Sequence, residues 1–305
     1  TPSKDAKVHE VGKDGLKIAG KLTKDDAPLV NAPVAELKGA PHQVFHVMLQ
    51  KGQGYVIDLA SKDFDAYLIL QDAVGTLRAH DDDSGGGQDS RIVVTAPADG
   101  VYRVLAAALD KKPGVFELKI RSGELSEGQK LAALATTLNS ESVRLYQHGK
   151  AGAAVEKLRQ ALDIRQNLFP AAKYPDGHPD VAESLNSLGF VLRAMGQAEE
   201  ALGYYRQGLE MRQKLFPAAI YPAGHPDLAQ SLNNLGTVLH AMGEAEQALG
   251  YYRQSREMME KLFPAAKYPA GHPDLAGSLN NLGFVLQAMG QAEQALGYYR
   301  QGLEM

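Results

Sequence analysis

The chain contains no cysteine and no tryptophan. Without cysteine there are no disulfides, no cysteine-ligated zinc and no thiol chemistry. Long apolar runs are missing too. The longest, residues 104–109, has a strand's length and falls far short of the about 20 apolar residues that span a bilayer, so no membrane span is expected. Charge of one sign is not in excess: the formal net charge is −4 over 305 residues. Neither the first 122 residues nor the remainder is basic, which speaks against a phosphate-tracking surface and hence a nucleic-acid partner. There is no Walker loop, HExxH pair, Rossmann glycine fingerprint or GxSxG elbow, so no enzymatic activity and no organic cofactor are expected of this chain. It opens at Thr1 without methionine, which reads as removal of a signal peptide or flanking sequence.

What is present is a repeat. His-Pro-Asp occurs at His178, His225 and His272, each copy 47 residues after the last, and ALGYYRQ recurs in step from Ala201, Ala248 and Ala295. Self-similarity at such a period indicates a solenoid or a propeller. Each unit splits into two amphipathic helices. Pro179, Pro226 and Pro273 suit the first helical position, with Asp180, Asp227 and Asp274 in a first turn that favours negative charge. Gly196, Gly243 and Gly290 end this helix A. Helix B follows, from Gln197 to about Phe216 and from Glu244 to about Phe263, and Leu-Phe-Pro stops it. The three histidines sit one per repeat at the helix start, which suits structural turn residues better than ligands of a shared metal.

Ahead of the repeats, residues 16–122 read as strands. The runs 44–50, 55–61, 66–72, 91–97, 101–107 and 115–121 are short, β-branched or aromatic, and separated by Gly, Pro and Asp turns. This spacing predicts a β-sandwich or barrel. In the last run Phe116, Leu118 and Ile120 alternate with Val115, Glu117 and Lys119, which predicts one buried and one wet face.

The strand region carries a resemblance. Phe64-Asp65-Ala66-Tyr67-Leu68, Asp81 to Gly87, Ser90-Arg91-Ile92 and Ala96 to Tyr102 occur in that order, and over roughly residues 28–122 they resemble the bacterial pre-peptidase C-terminal domain. The resemblance implies a jelly-roll-like sandwich, an exported protein (periplasmic, cell-surface or extracellular) and a non-catalytic accessory role; some members bind calcium or matrix polymers. Asp81, Asp82 and Asp83 with Asp89 form the one metal-like cluster, with oxygens suited to calcium. The alternative is a solvated hairpin loop with glycines at positive φ. Asp83-Ser84-Gly85-Gly86 also mimics the surroundings of a serine nucleophile, with His42, His46 and His80 as available bases, but the accompanying motifs are missing.

In the repeats Gly189, Ala201 and Tyr205 keep one spacing, shared by Gly236, Ala248, Tyr252 and by Gly283, Ala295, Tyr299. Small residues at a helix crossing with an aromatic beside them resemble tetratricopeptide repeats. The excess over the generic repeat of about 34 residues lengthens helix B and forms the loop before His-Pro-Asp, which most resembles the kinesin light chain type. A divergent unit precedes the three: residues 136–170 align without gaps, keeping Asn139 and Ala154 but with Ser142 for Gly and Leu158 for Tyr. The expected layout is a sandwich over 1–122, a linker over 123–127 and repeats over 128–305, in units 128–170, 178–217, 225–264 and a truncated 272–305. Met305 corresponds to Met211 in the middle of helix B. The native chain is therefore expected to continue, and the open last unit is a candidate for self-association.

Helix A lines the concave face of such arrays. The groove positions are Asn186, Phe190 and Arg193, then Asn233, Thr237 and His240, then Asn280, Phe284 and Gln287. The asparagine is constant and the rest vary. An asparagine amide has donors and an acceptor for a peptide backbone, and the resemblance to kinesin light chains implies that Asn186, Asn233 and Asn280 grip an extended protein segment. The competing role is bonding between neighbouring helices. The expected function is a protein-interaction scaffold. Alternatives are the regulatory front end of a larger enzyme, since sandwich-plus-repeat chains resemble bacterial proteins carrying a caspase-like CHAT peptidase, and calcium or polymer binding by the sandwich.

Overall fold

The computed structural model describes residues 7–30, 37–81, 89–266, 268 and 271–305. They form two compact units, one of residues 1–149 with 160–168, the other of residues 150–159 with 169–305.

In the first unit the described strands are β1 (Val8–Glu10), β2 (Leu16–Leu22), β3 (His42–Leu49), β4 (Gly54–Ser61), β5 (Ala66–Gln71), β6 (Leu77–Asp81), β7 (Ser90–Thr95), β8 (Gly100–Ala108) and β9 (Gly114–Gly123). They make a five-stranded sheet ordered β1-β3-β8-β5-β6 and a four-stranded sheet ordered β2-β9-β4-β7. The described pairings are antiparallel except β1 with β3. The inner faces bury Val47, Leu49, Ile57, Leu59, Leu68, Val104, Phe116, Leu118 and Ile120 between the sheets. Phe116, Leu118 and Ile120 are buried while Val115 and Lys119 are exposed, as the alternation predicts.

The apolar run 104–109 has a specific cause. Val104, Ala106 and Ala108 face the main core. Leu105 and Ala107 face the other way, into a second cluster with Leu29, Leu37, Ala40, Tyr67 and Ile69. A strand buried on both faces reads as continuous apolar sequence.

Strands begin earlier than residue 16. Val8–Glu10 pairs in parallel with β3 through only three residues, too short to show a period-2 pattern. Within the expected linker, Leu125 is buried with Val56 and Ala133, and Ser126 closes a capping box with Gln129 at the start of α1 (Glu127–Gln147). Helix α1 packs against β6 and β7. The second half of α2 (Ala151–Leu168) also belongs to this unit, with Ala161 packed against Ala135 and Leu138.

The second unit contains three helix pairs at the expected period: α3 (Pro179–Ala194) with α4 (Ala198–Leu215), α5 (Pro226–Ala241) with α6 (Ala245–Leu262), and α7 (Pro273–Ala288) with α8 (Ala292–Leu303). Gly196, Gly243 and Gly290 leave helix A at φ of +78°, +83° and +77°, a conformation glycine adopts without Cβ strain. The crossing is set by Gly189, Gly236 and Gly283. A Cβ there would meet the rings of Tyr205, Tyr252 and Tyr299 at 2.7, 2.7 and 2.6 Å.

Candidate binding face on the repeat helices

Each helix A begins with a device the sequence showed only in part. The ring Nδ1 of His178, His225 and His272 accepts the backbone N–H of Asp180, Asp227 and Asp274 at 3.3, 3.2 and 3.3 Å. This makes histidine the N-cap in place of the usual Ser, Thr, Asp or Asn. Each imidazole lies flat on the phenylalanine that ended the preceding helix: Phe169, Phe216 and Phe263, at 3.5, 3.6 and 3.6 Å between ring centroids. Tyr174, Tyr221 and Tyr268 stand edge-on to both rings. An accepting Nδ1 requires the neutral ring. Burial depresses the pKa of His225, outweighing the raising influence of Asp227, and Arg212 depresses it further. The signal in the sequence was the joint recurrence of Leu-Phe-Pro, Tyr-Pro and His-Pro-Asp.

The second junction carries a buried cation. Arg212 of α4 is 5% exposed. Its Nη1 donates to the Asp227 carbonyl at 3.1 Å and the Ser231 hydroxyl at 2.9 Å, and its Nη2 lies 3.6 Å from the Asp227 carboxylate. At the third junction the same position is Met259, buried with Phe263, Leu275 and Leu279, and the Ser278 hydroxyl donates to the Leu275 carbonyl instead.

The predicted groove residues lie on the partly open faces of α3, α5 and α7. Their asparagines are joined across repeats. Asn234 Nδ2 donates to Asn186 Oδ1 at 2.7 Å, and Asn281 Nδ2 donates to Asn233 Oδ1 at 2.9 Å. Sequence reasoning named Asn186, Asn233 and Asn280 but missed Asn234 and Asn281, whose signal is the doubled asparagine of LNNLG. The variable positions are tied to the crossing tyrosines: Arg193 to Tyr205, Thr237 Oγ1 to the Tyr252 hydroxyl at 3.2 Å, and Gln287 Oε1 to the Tyr299 hydroxyl at 3.1 Å. Burial pushes the Tyr205 and Tyr252 hydroxyls up from their ordinary pKa, so they remain donors. His240 stacks on Phe284 with centroids 4.9 Å apart, and Arg193 sits 5.7 Å over the Phe190 ring. Phe190 and Phe284 stay 43% and 57% exposed. Asn280 is exposed.

The sandwich candidates are placed differently. Asp81 Oδ2 accepts the backbone N–H of Arg91 at 2.7 Å and Asp89 Oδ1 that of Ser61 at 3.2 Å. Asp82, Asp83 and Ser84 lie outside the described residues. Among the described residues no group of three or more potential ligands converges on a metal position. His42 Nδ1 pairs with the Ala27 carbonyl at 2.7 Å, and His80 Nδ1 with the Tyr67 hydroxyl at 2.8 Å. Among the described residues no helix is long and apolar enough to cross a membrane.

The fold and this face define a two-part chain: a β-sandwich followed by a solenoid of helix pairs, an architecture that scaffolds protein–protein interaction and is typically non-catalytic. Residues 42–108 match the bacterial pre-peptidase C-terminal domain. Residues 181–227 and 275–305 match one tetratricopeptide repeat family, and 218–261 match another. The chain therefore carries a pre-peptidase C-terminal domain followed by tetratricopeptide repeats. Among solved structures it is similar to BtubC (BKLC) from P. vanneervenii, at 22% identity and a TM-score of 0.48, over 59% of this chain and 65% of that one. It is also similar to the Podosopora anserina putative kinesin light chain with nearly identical TPR-like repeats, at 22% identity and a TM-score of 0.45, over 58% and 76%. The chain thus spans about 65% of the length of BtubC. No curated protein matches it.

Proposed function

We propose that the open strip on the A helices is the floor of a groove that binds an extended segment of a protein partner. The observation that carries this is the asparagine ladder. The Oδ1 atoms of Asn186 and Asn233 are taken by the next repeat. Their Nδ2 groups have no protein partner among the described residues, so two amide donors in register face a partner's carbonyls. Exposed Phe190 and Phe284, with Arg193 and His240 beside them, flank those donors and supply the side-chain contacts. The pre-peptidase C-terminal match supports a bacterial protein that acts after export, which cell fractionation checks.

The test separates grip from register. A segment selected from a displayed peptide library should lose binding about tenfold or more with Asn233→Ala, which removes an amide donor worth about 1 kcal/mol or more. Asn281→Ala, which breaks the same inter-repeat bond but leaves Asn233 in place, should keep most of the binding. Equal losses in both would make the asparagines stack-holding residues alone.

A further inference from the structure

The outer face of the four-stranded sheet carries a charge pattern that packing does not require. Register sets Lys17 of β2 opposite Lys119 of β9, Lys119 opposite Asp58 of β4, and Asp58 opposite Arg91 of β7. These residues form one row across four strands, about 14 Å long at the usual strand spacing. Arg121 stands two residues along β9 on the same face. The side chains of Lys17, Arg91, Lys119 and Arg121 are 63%, 44%, 48% and 61% exposed, so all four charges reach solvent.

Two carboxylates serve these four cations. Glu117 bridges Lys119 and Lys17, and those ammonium groups hold its carboxyl below the ordinary range. Asp58 bridges Arg91 at 2.5 Å and Arg121 at 2.7 Å. The face therefore keeps an excess of positive charge on a chain whose net charge is −4. Like charges directly opposite across strands are destabilising, and Ile18, Ile57, Ile92 and Leu118 already pack the inner side. Glu117 and Asp58 are each shared between two cations and their side chains are only 32% and 17% exposed, so an incoming anion meets the outward ends of Lys17, Lys119, Arg91 and Arg121 without displacing them.

We infer that this row is a binding site for an anionic polysaccharide, whose carboxylate or sulfate groups pair with Lys17, Lys119, Arg91 and Arg121. The site needs a ligand with spaced negative charges along a line. Nucleic acid fits it poorly, because the open positions around the row (Ala19, Lys21, Ala60, Glu117 and Arg121) offer no aromatic ring on which a base could stack, and next along β4 and β7 the face is closed where Val56 and Val93 pack against Leu125 and Ala133.

The test is calorimetric titration of the full chain with heparin oligosaccharides, which are sulfated, and with oligogalacturonate, which is carboxylated. Binding of either, weakening as salt rises through about 0.2 M where the screening length shortens, supports the site, and the preferred probe assigns sulfate or carboxylate as the group read. The double variant Lys17→Gln with Lys119→Gln removes the like-charge pair, so its melting temperature should hold while affinity falls about tenfold. Arg121→Gln gives a second, independent loss. Lys214→Gln, on exposed α4 surface, should bind as the wild type does. The inference is overturned by the absence of heat with both probes, by salt-independent binding, by undiminished affinity in the double variant, or by an equally tight single-stranded oligodeoxynucleotide.

Discussion

At the scale of single residues, the histidine cap makes the solenoid sensitive to acid. His225 has a folded-state pKa below the ordinary 6.5 because burial disfavours its charged form. Below pH 6.5 the unfolded chain takes up a proton that the folded chain resists, so stability falls as pH falls and is complete above that value. Thermal melts should show the midpoint dropping between about pH 7 and pH 5. His225→Asn keeps a capping acceptor but removes the titrating ring, so it should shrink that pH dependence while losing the stacking contact with Phe216. An unchanged slope in the variant would assign the acid sensitivity elsewhere. The cap was half legible in the sequence: proline at the first helical position marked the helix start, but Phe216 and Tyr221 could be seen as part of the same cluster only once the loop brought them onto the imidazole.

At the scale of elements, the helix crossing and the repeat junction behave differently. The crossing is steric. Gly236→Ala would force its Cβ against the Tyr252 ring, and Ala248→Leu would overpack the fully buried Ala248 position of α6; each should cost about 1–3 kcal/mol, read as a lower melting temperature with helicity retained. The junction is polar at α4–α5 and apolar at α6–α7. Arg212→Ala should cost about 1–3 kcal/mol by leaving Asp227 and Ser231 without their donor. Arg212→Met removes the same donor but fills the space as Met259 does at the next junction, so it should cost less than Arg212→Ala by the apolar packing it keeps, about 1 kcal/mol. Chemical denaturation of both variants checks the ordering. The Gly-Ala-Tyr spacing announced the crossing in advance. The buried arginine was not announced, since QGLEMRQKL reads as an ordinary amphipathic helix until its neighbour is in place.

At the scale of the whole molecule, the boundary between the compact units does not fall where the strands stop. Leu125 and Ala133 bury against Val56, and α1 lies on β6 and β7. A fragment of residues 1–149 should therefore melt higher than one of residues 1–122. The loss of Leu125 burial alone is worth about 1.5–3 kcal/mol, and equal melting temperatures would show that the helix adds nothing to the sandwich. Composition places the change from strand to helix near Ser122, but not the ownership of α1, because its first turns read as a good helix whatever they pack against.

Local sequence determined what local physics controls: the number and period of the helix pairs, their proline starts and glycine ends, the alternation of β9, and the small-residue crossings. Each depends on backbone conformations or spacings that neighbouring residues enforce. Tertiary structure decided what depends on distant residues meeting. That includes the parallel pairing of β1 with β3, the second apolar layer behind β8, the asparagine ladder through Asn234 and Asn281, and the choice of arginine or methionine at the junctions. It also includes the row of cations that only sheet register could assemble. Side chains from separate strands or repeats carry no mark of their partners until the fold sets them within a few ångströms of each other.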